Sequence, residues 1–162
     1  MEKYINYRIK ETTWEPKKFV CIRKTVPLQK VGDFIEDNCS KLLKSLQNQG
    51  LCANGVPFSI THSIDYINNT ADIAAAVICS EAELRQTDYE IFTIQGKIIS
   101  TTHTGYFEDI KPAYYALDRF LQSKNYQKAL YLEEHLGNPK LEPNLNNWVT
   151  NLYCVVDAIQ AA

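Results

Sequence analysis

Two stretches of the chain carry a helical alternation of apolar and polar positions. Val31, Phe34, Ile35, Cys39, Leu42, Leu43 and Leu46 recur at spacings of three and four, which puts them on one stripe of an α-helix. Gly50 follows that stripe, where a left-handed residue ends a helix at little cost. Ile110, Ala113, Tyr114, Leu117, Phe120 and Leu121 repeat the pattern, which fades at Ser123–Asn125. With Asp109 as N-cap, Pro112 falls in the first turn, where its missing N–H leaves nothing unpaired. The spacing predicts helices near 31–49 and 109–124.

Runs rich in branched and aromatic residues predict strands at roughly 18–26, 57–62, 72–79, 89–94, 97–103, 129–136 and 147–156. Gln95-Gly96 is a tight-turn dipeptide, so 89–103 reads as a hairpin, and Tyr4–Ile9 reads as an added edge strand. Ala74-Ala75-Ala76 has helical propensity, but an apolar run this short between loop segments has the length of a strand. The order is strand, helix, strand, strand, and it recurs about 75 residues later. One such unit buries too little alone. Two together predict an α+β domain spanning 1–162, with a first half at about 18–80 and a second at about 89–157. The expected form is a mostly antiparallel sheet with both helices on one face and a ligand cleft at the pseudo-two-fold seam.

Composition narrows the function classes. Among 162 residues, 17 basic side chains face 19 acidic ones, a net charge of −2 that lacks the electrostatic footprint of a nucleic-acid binder. The same balance argues against an anionic membrane surface as partner. No apolar run reaches the roughly eighteen residues of a membrane span, and the charged N-terminus has no signal-peptide core, so the expected location is cytoplasmic. Cys21, Cys39, Cys52, Cys79 and Cys154 form no CxxC pair and read as buried reduced thiols. His62, His103 and His135 have no ligand spacing, and no phosphate-cradling glycine loop or nucleophile elbow is present, so neither a metal nor a cofactor is expected.

Three stretches resemble the GyrI-like small-molecule-binding domains, which also form the effector-binding halves of AraC- and MerR-type activators. His103-Thr104-Gly105-Tyr106-Phe107-Glu108 is similar to the family's H-x-G-P-Y-E signature. Leu132-Glu133-Glu134-His135-Leu136-Gly137-Asn138-Pro139 is similar to its E-x-Y-L-x-D-P strand and turn, and Trp148–Val156 to its closing strand. Pro57–Ile60 and Asp72–Cys79 resemble strands of its first half. Phe107 and His135 stand where the family prefers Tyr, Asn151 where Glu is common, and Val155 where Pro is common.

The resemblance implies that Glu133 is the carboxylate of the family's central cavity. A carboxylate buried among aromatic side chains favours a cationic partner, held also by cation–π contact of about 0.5–2 kcal/mol per ring. Tyr131 and His135 share its strand face, while Leu130, Leu132 and Leu136 share a face with Glu134. If the leucines face the core, Glu133 lies on the opposite, aromatic face; parity alone leaves Glu133 and Glu134 both open. Tyr153 ranks with Glu133 as a ligand residue, followed by Phe107 and Trp148, with Tyr106 and Tyr131 as further cavity walls. Tyr153 and Leu152 face opposite sides of the last strand.

The leading expectation is a stand-alone effector-binding domain, a multidrug-type binder of amphipathic, cationic aromatic molecules. It belongs to the chemistry of transcription regulation but has no DNA affinity of its own. Two alternatives stand beside it. One is a hydrolase of strained electrophiles in which Glu133 activates water as the catalytic base. The other is a protein-partner role like that of a gyrase inhibitor or regulator.

Overall fold

The two apolar stripes form helices α1 (Val31–Asn48) and α2 (Lys111–Lys124), and six strands accompany them. These are β1 (Lys10–Pro27), β2 (Phe58–Asp65), β3 (Thr70–Ile78), β4 (Glu90–Thr104), β5 (Gln127–His135) and β6 (Val149–Asp157). The computed structural model describes residues 7–51, 56–79, 89–105, 109–136, 144 and 148–157. The chain divides into two compact units, residues 14–96 and the combination of 1–13 with 97–162.

In the unit of residues 14–96, β3 runs antiparallel between β1 and β2, with Ala76 opposite both Cys21 and Phe58. Helix α1 buries Ile35, Cys39, Leu42 and Leu46, the predicted stripe, against Val20, Ile73, Ala75 and Val77. Each such leucine removed from water stabilises by about 1.5–3 kcal/mol. The alanine run is strand, because β3 is paired along both edges and pairing outweighs local propensity. Its small side chains leave space for Phe19 and Phe58, whose rings meet edge to face at 5.1 Å. The helix ends as predicted at Gly50, with φ +73 and the Leu51 N–H returning to the Leu46 carbonyl at 2.9 Å.

In the other unit β6 is central, antiparallel to β4 on one side and β5 on the other. Helix α2 buries Ala113, Leu117 and Leu121 against Ile99, Leu152 and Cys154. Asn125, at φ 57, closes it with its N–H on the Gln122 carbonyl. Each unit thus has the order strand, helix, strand, strand, with its last strand in the middle of its sheet.

Four expectations are corrected. Residues 89–103 are not a hairpin: β4 is uninterrupted, and Gly96 takes φ +100 inside the strand, the use of a glycine at an irregular strand position. Residues 7–9 lie in no strand, while residues 4–6 fall outside the described residues. Strand β1 begins at Lys10, well before the apolar pattern does, through a stretch that is mostly exposed. Helix α2 has Ile110 rather than Asp109 as its N-cap; Pro112 still occupies the first turn, and the Ala113 N–H bonds the Ile110 carbonyl at 3.0 Å.

Cys21, Cys39, Cys79 and Cys154 are buried, and Cys52 lies outside the described residues. Burial pushes the thiols of Cys21 and Cys154 up to about 12, far from thiolate chemistry. Among the described residues no helix is long and apolar enough to cross a membrane.

Candidate functional site

The register of β4, β6 and β5 sorts the sequence candidates onto two faces. Glu133 pairs with Leu152, Tyr131 with Cys154, and His135 with Thr150; on β4 the partners of these β6 residues are Thr101, Ile99 and His103. Directly opposed residues share a face. Leu152, Cys154 and Ile99 are packed in the core around α2, so this is the face that α2 covers. The other face carries Leu132 with Tyr153, Glu134 with Asn151, and Ser100 and Thr102 on β4.

This decides what strand parity left open. Leu132 is fully buried, yet Glu133, and not the leucine row, faces α2. The helix brings its own leucines to that interface, together with Tyr114, whose hydroxyl donates to Glu133 Oε1. A carboxylate 7% exposed is tolerable on a helix-covered face because a donor meets it. Glu133 and Tyr153 therefore lie on opposite faces of one sheet and cannot line one surface together.

Around Glu133 the surroundings are aromatic. Tyr114 and Tyr131 meet edge to face at 5.0 Å, and the Tyr131 hydroxyl donates to Asp118 on α2. Burial, then the neighbouring Glu133 charge, holds the Tyr114 hydroxyl well above the usual phenol range, so it is a fixed donor. Lys128 Nζ stands 4.5 Å from the Tyr131 ring centre, so one of these rings already hosts a cation. His135 Nε2 lies 3.8 Å from Glu133 Oε2. Burial lowers the imidazole to about 4, against a smaller opposing pull from Glu134, so it is neutral at pH 7. The described residues thus set a buried carboxylate beside a phenol donor, a neutral imidazole and two crossed rings. Such a set can pair with an organic cation, or it can hold a base beside a proton donor.

The remaining candidates are dispersed. Tyr153 donates to Glu134 Oε1 at 2.8 Å on the far face. Trp148 is half-buried, and its carbonyl accepts the Gly105 N–H at 2.8 Å, joining the ends of two of the motifs. Tyr106 and Phe107 lie outside the described residues. His103 is buried with its Nδ1 2.9 Å from the Tyr7 hydroxyl. Among the described residues no three His, Cys, Asp or Glu side chains converge as metal ligands. Sequence reasoning passed over Tyr114 and Asp118. The available signal was an aromatic and an acidic position four apart on the flank of the α2 stripe, facing the strand that carries Glu133.

The family model of the GyrI-like small molecule binding domain matches residues 6–156. Among solved structures, the chain is similar to the C-terminal domain of EcmrR, with TM-score 0.78 and 13% identity over 96% of this chain and 100% of that one. Against EcmrR in its DNA complex the TM-score is 0.78 at 15% identity, and 94% of this chain spans only 58% of that protein. It is similar to SAV2435 bound to tetraphenylphosphonium, with TM-score 0.61 and 10% identity over 94% of each chain. A hydrolase from Listeria innocua gives TM-score 0.57 and 10% identity over 93% of this chain and 92% of that one. No curated protein matches the chain in sequence. At such identities the likeness to the solved structures is one of fold.

Proposed function

The chain belongs to the GyrI-like small-molecule-binding domain family, and from that premise we propose that it binds amphipathic, cationic aromatic molecules with the Glu133 carboxylate as their charged anchor. The observation that carries the reading is Glu133 itself, a buried carboxylate set against the crossed rings of Tyr114 and Tyr131. An organic cation pairs with that carboxylate, and its aromatic groups replace contacts between the rings of Tyr114 and Tyr131. Tyr114 now gives Glu133 the hydrogen bond that a ligand must compete with, so entry requires this side chain to turn aside. Trp148, Tyr106 and Phe107 serve as further walls in this reading. Tyr153, on the other face, is assigned away from the cation. We read the two units as a duplicated module. A similar fold bound to tetraphenylphosphonium supports the ligand class, and one in a DNA complex supports an effector role.

The test is a thermal-shift series on the intact chain with tetraphenylphosphonium, cationic dyes and neutral or anionic analogues of the same size. At ten times its dissociation constant a specific cation adds about 1.4 kcal/mol of stability, a shift of roughly 3–6 °C for a chain of this length. Equal shifts from neutral and anionic analogues would remove the cation while keeping the pocket.

The neutral imidazole 3.8 Å from Glu133 favours one second reading, hydrolysis of a strained electrophile such as an epoxide. Glu133 takes a proton from water, the hydroxide adds to a ring carbon, and the C–O bond breaks to an alkoxide that regains the proton. Loss of epoxide turnover in Glu133→Gln, with binding retained, selects this reading over the first.

A further inference from the structure

The β4 flank of the face that α2 covers has a cover of its own. Thr101 and His103 are buried there, and the residues that precede β1 meet both of them. The Thr101 hydroxyl donates to the Arg8 carbonyl at 2.9 Å, and His103 Nδ1 lies 2.9 Å from the Tyr7 hydroxyl. Tyr7 and Ile9, each half-buried, pack on the apolar cluster that also holds Ile99, Leu117 and Leu152.

Tyr7, Arg8 and Ile9 belong to no strand, so side chains rather than a ladder hold them down. A cover with so few buried contacts detaches at a far lower free energy than the core beneath it. Its root is different. The chain enters β1 at Lys10, and the next residue is fastened on three sides. The Tyr126 hydroxyl donates to Glu11 Oε1 at 2.6 Å, and Lys97 Nζ lies 3.4 Å from that oxygen while donating to Tyr126 at 3.0 Å. A lightly held tip beyond a fastened root has the construction of a hinged flap. The residues under it lead to Glu133: Thr101 lies opposite Leu152, which lies opposite Glu133, and His103 lies opposite Thr150, which lies opposite His135. At one strand spacing per step, the flap rests about 10 Å from Glu133, at the other end of its row. Tyr114 of α2 covers the β5 end of the same row.

We propose that residues 7–9 are a flap that lifts as a unit, hinged at the start of β1, and opens the flank of the sheet face that carries Glu133. Open, it uncovers Thr101 and His103 and gives a ligand a side entrance along the two rows. Its polar contacts are to β4, so a ligand held at Glu133 leaves them intact and the flap closes again over the occupied site. It therefore sets the rates of exchange and not the affinity. Its part in exchange rests on Glu133 being the cation anchor; its lifting does not.

Two measurements on the intact chain test this. Diethyl pyrocarbonate modifies an accessible imidazole, and peptide mass mapping gives the rate at His103 separately from that at His62 in the other unit. Ile9→Ala and Thr101→Val loosen the flap while keeping His103 and Glu133, and each is expected to raise the His103 rate about three- to tenfold. Neither changes the rate at His62 or the alkylation of Cys39, which is buried in the other unit. A His103 rate equal to that of the wild type in both variants overturns the flap. So does a rise matched at Cys39, which reports unfolding of the whole chain. In stopped-flow mixing with tetraphenylphosphonium, the association and dissociation rate constants rise by the same factor in each variant, with Kd within about twofold. Unchanged rate constants beside faster His103 modification overturn the role in exchange. Failure of the wild type to bind tetraphenylphosphonium overturns the cation reading of Glu133, and the His103 rates still decide the flap.

Discussion

Replacing Glu133 by Gln is expected to weaken a cationic aromatic ligand by about 1.5–3 kcal/mol, roughly 10–150-fold in dissociation constant, while neutral ligands of the same shape bind as well or better. The size follows from the loss of a charge-assisted contact in a buried setting, where the Glu133 carboxylate is 7% exposed. The fold should not suffer. Gln keeps the volume and can still accept the Tyr114 hydrogen bond, and removing a buried charge relieves its desolvation cost. Glu134→Gln is the control, because Glu134 faces the other side of the sheet and accepts from Asn151 and Tyr153. It should leave cation affinity within about threefold. Titration calorimetry on the two variants checks this; a loss confined to Glu134→Gln would move the anchor to the far face.

Acid is expected to destabilise the protein well above the range where carboxylates protonate. His135 is held at about 4 in the folded chain by burial, against 6.5 for an ordinary imidazole. Between these values the unfolded chain binds a proton that the folded chain refuses. Stability is therefore complete above about pH 6.5 and falls as the pH drops towards 4. A difference of this size corresponds to about 2–3 kcal/mol by pH 4.5. In urea, at an m of about 1–3 kcal/mol per molar, the midpoint should fall by roughly 1 M or more. Asp72 is held below its usual range by its hydrogen bonds to Arg23, and Asp65 by those from Asn68, so their contributions are lost only at lower pH. His62 is also lowered by burial and acts in the same window, so the informative quantity is the difference that His135→Gln makes. That variant should flatten the limb between pH 6.5 and 4.5. Parallel curves for wild type and variant would exclude His135 as the buried titrating group.

The helices were legible because each stripe has one buried face and one wet face: Ile35, Cys39, Leu42 and Leu46 on α1, and Ala113, Leu117 and Leu121 on α2. The strand assignments failed where the deciding force was not local. Gln95-Gly96 has the chemistry of a turn, but the pairing of Ile98–Thr104 with β6 belongs to a strand that runs through it. The start of β1 offers no apolar alternation to read, since Lys10–Thr13 is exposed. At the site, alternation grouped Tyr131, Glu133 and His135 correctly on one face, as their register with Cys154, Leu152 and Thr150 demonstrates. Alternation could not say which face α2 covers. That depends on Tyr114, a helix residue whose sequence position marks it only as part of an apolar stripe, and on a hydroxyl that satisfies a carboxylate from another element. The same limit applies to Tyr153, whose motif suggests the company of Glu133 but whose strand position puts it on the other face.

The most direct measurement of the central claim is the crystal structure of the intact chain soaked with tetraphenylphosphonium. The account predicts the phosphorus within about 6 Å of the Glu133 carboxylate, with phenyl groups against Tyr131 and a displaced Tyr114. A cation bound instead beside Glu134 and Tyr153, or ordered density away from both carboxylates, would contradict it.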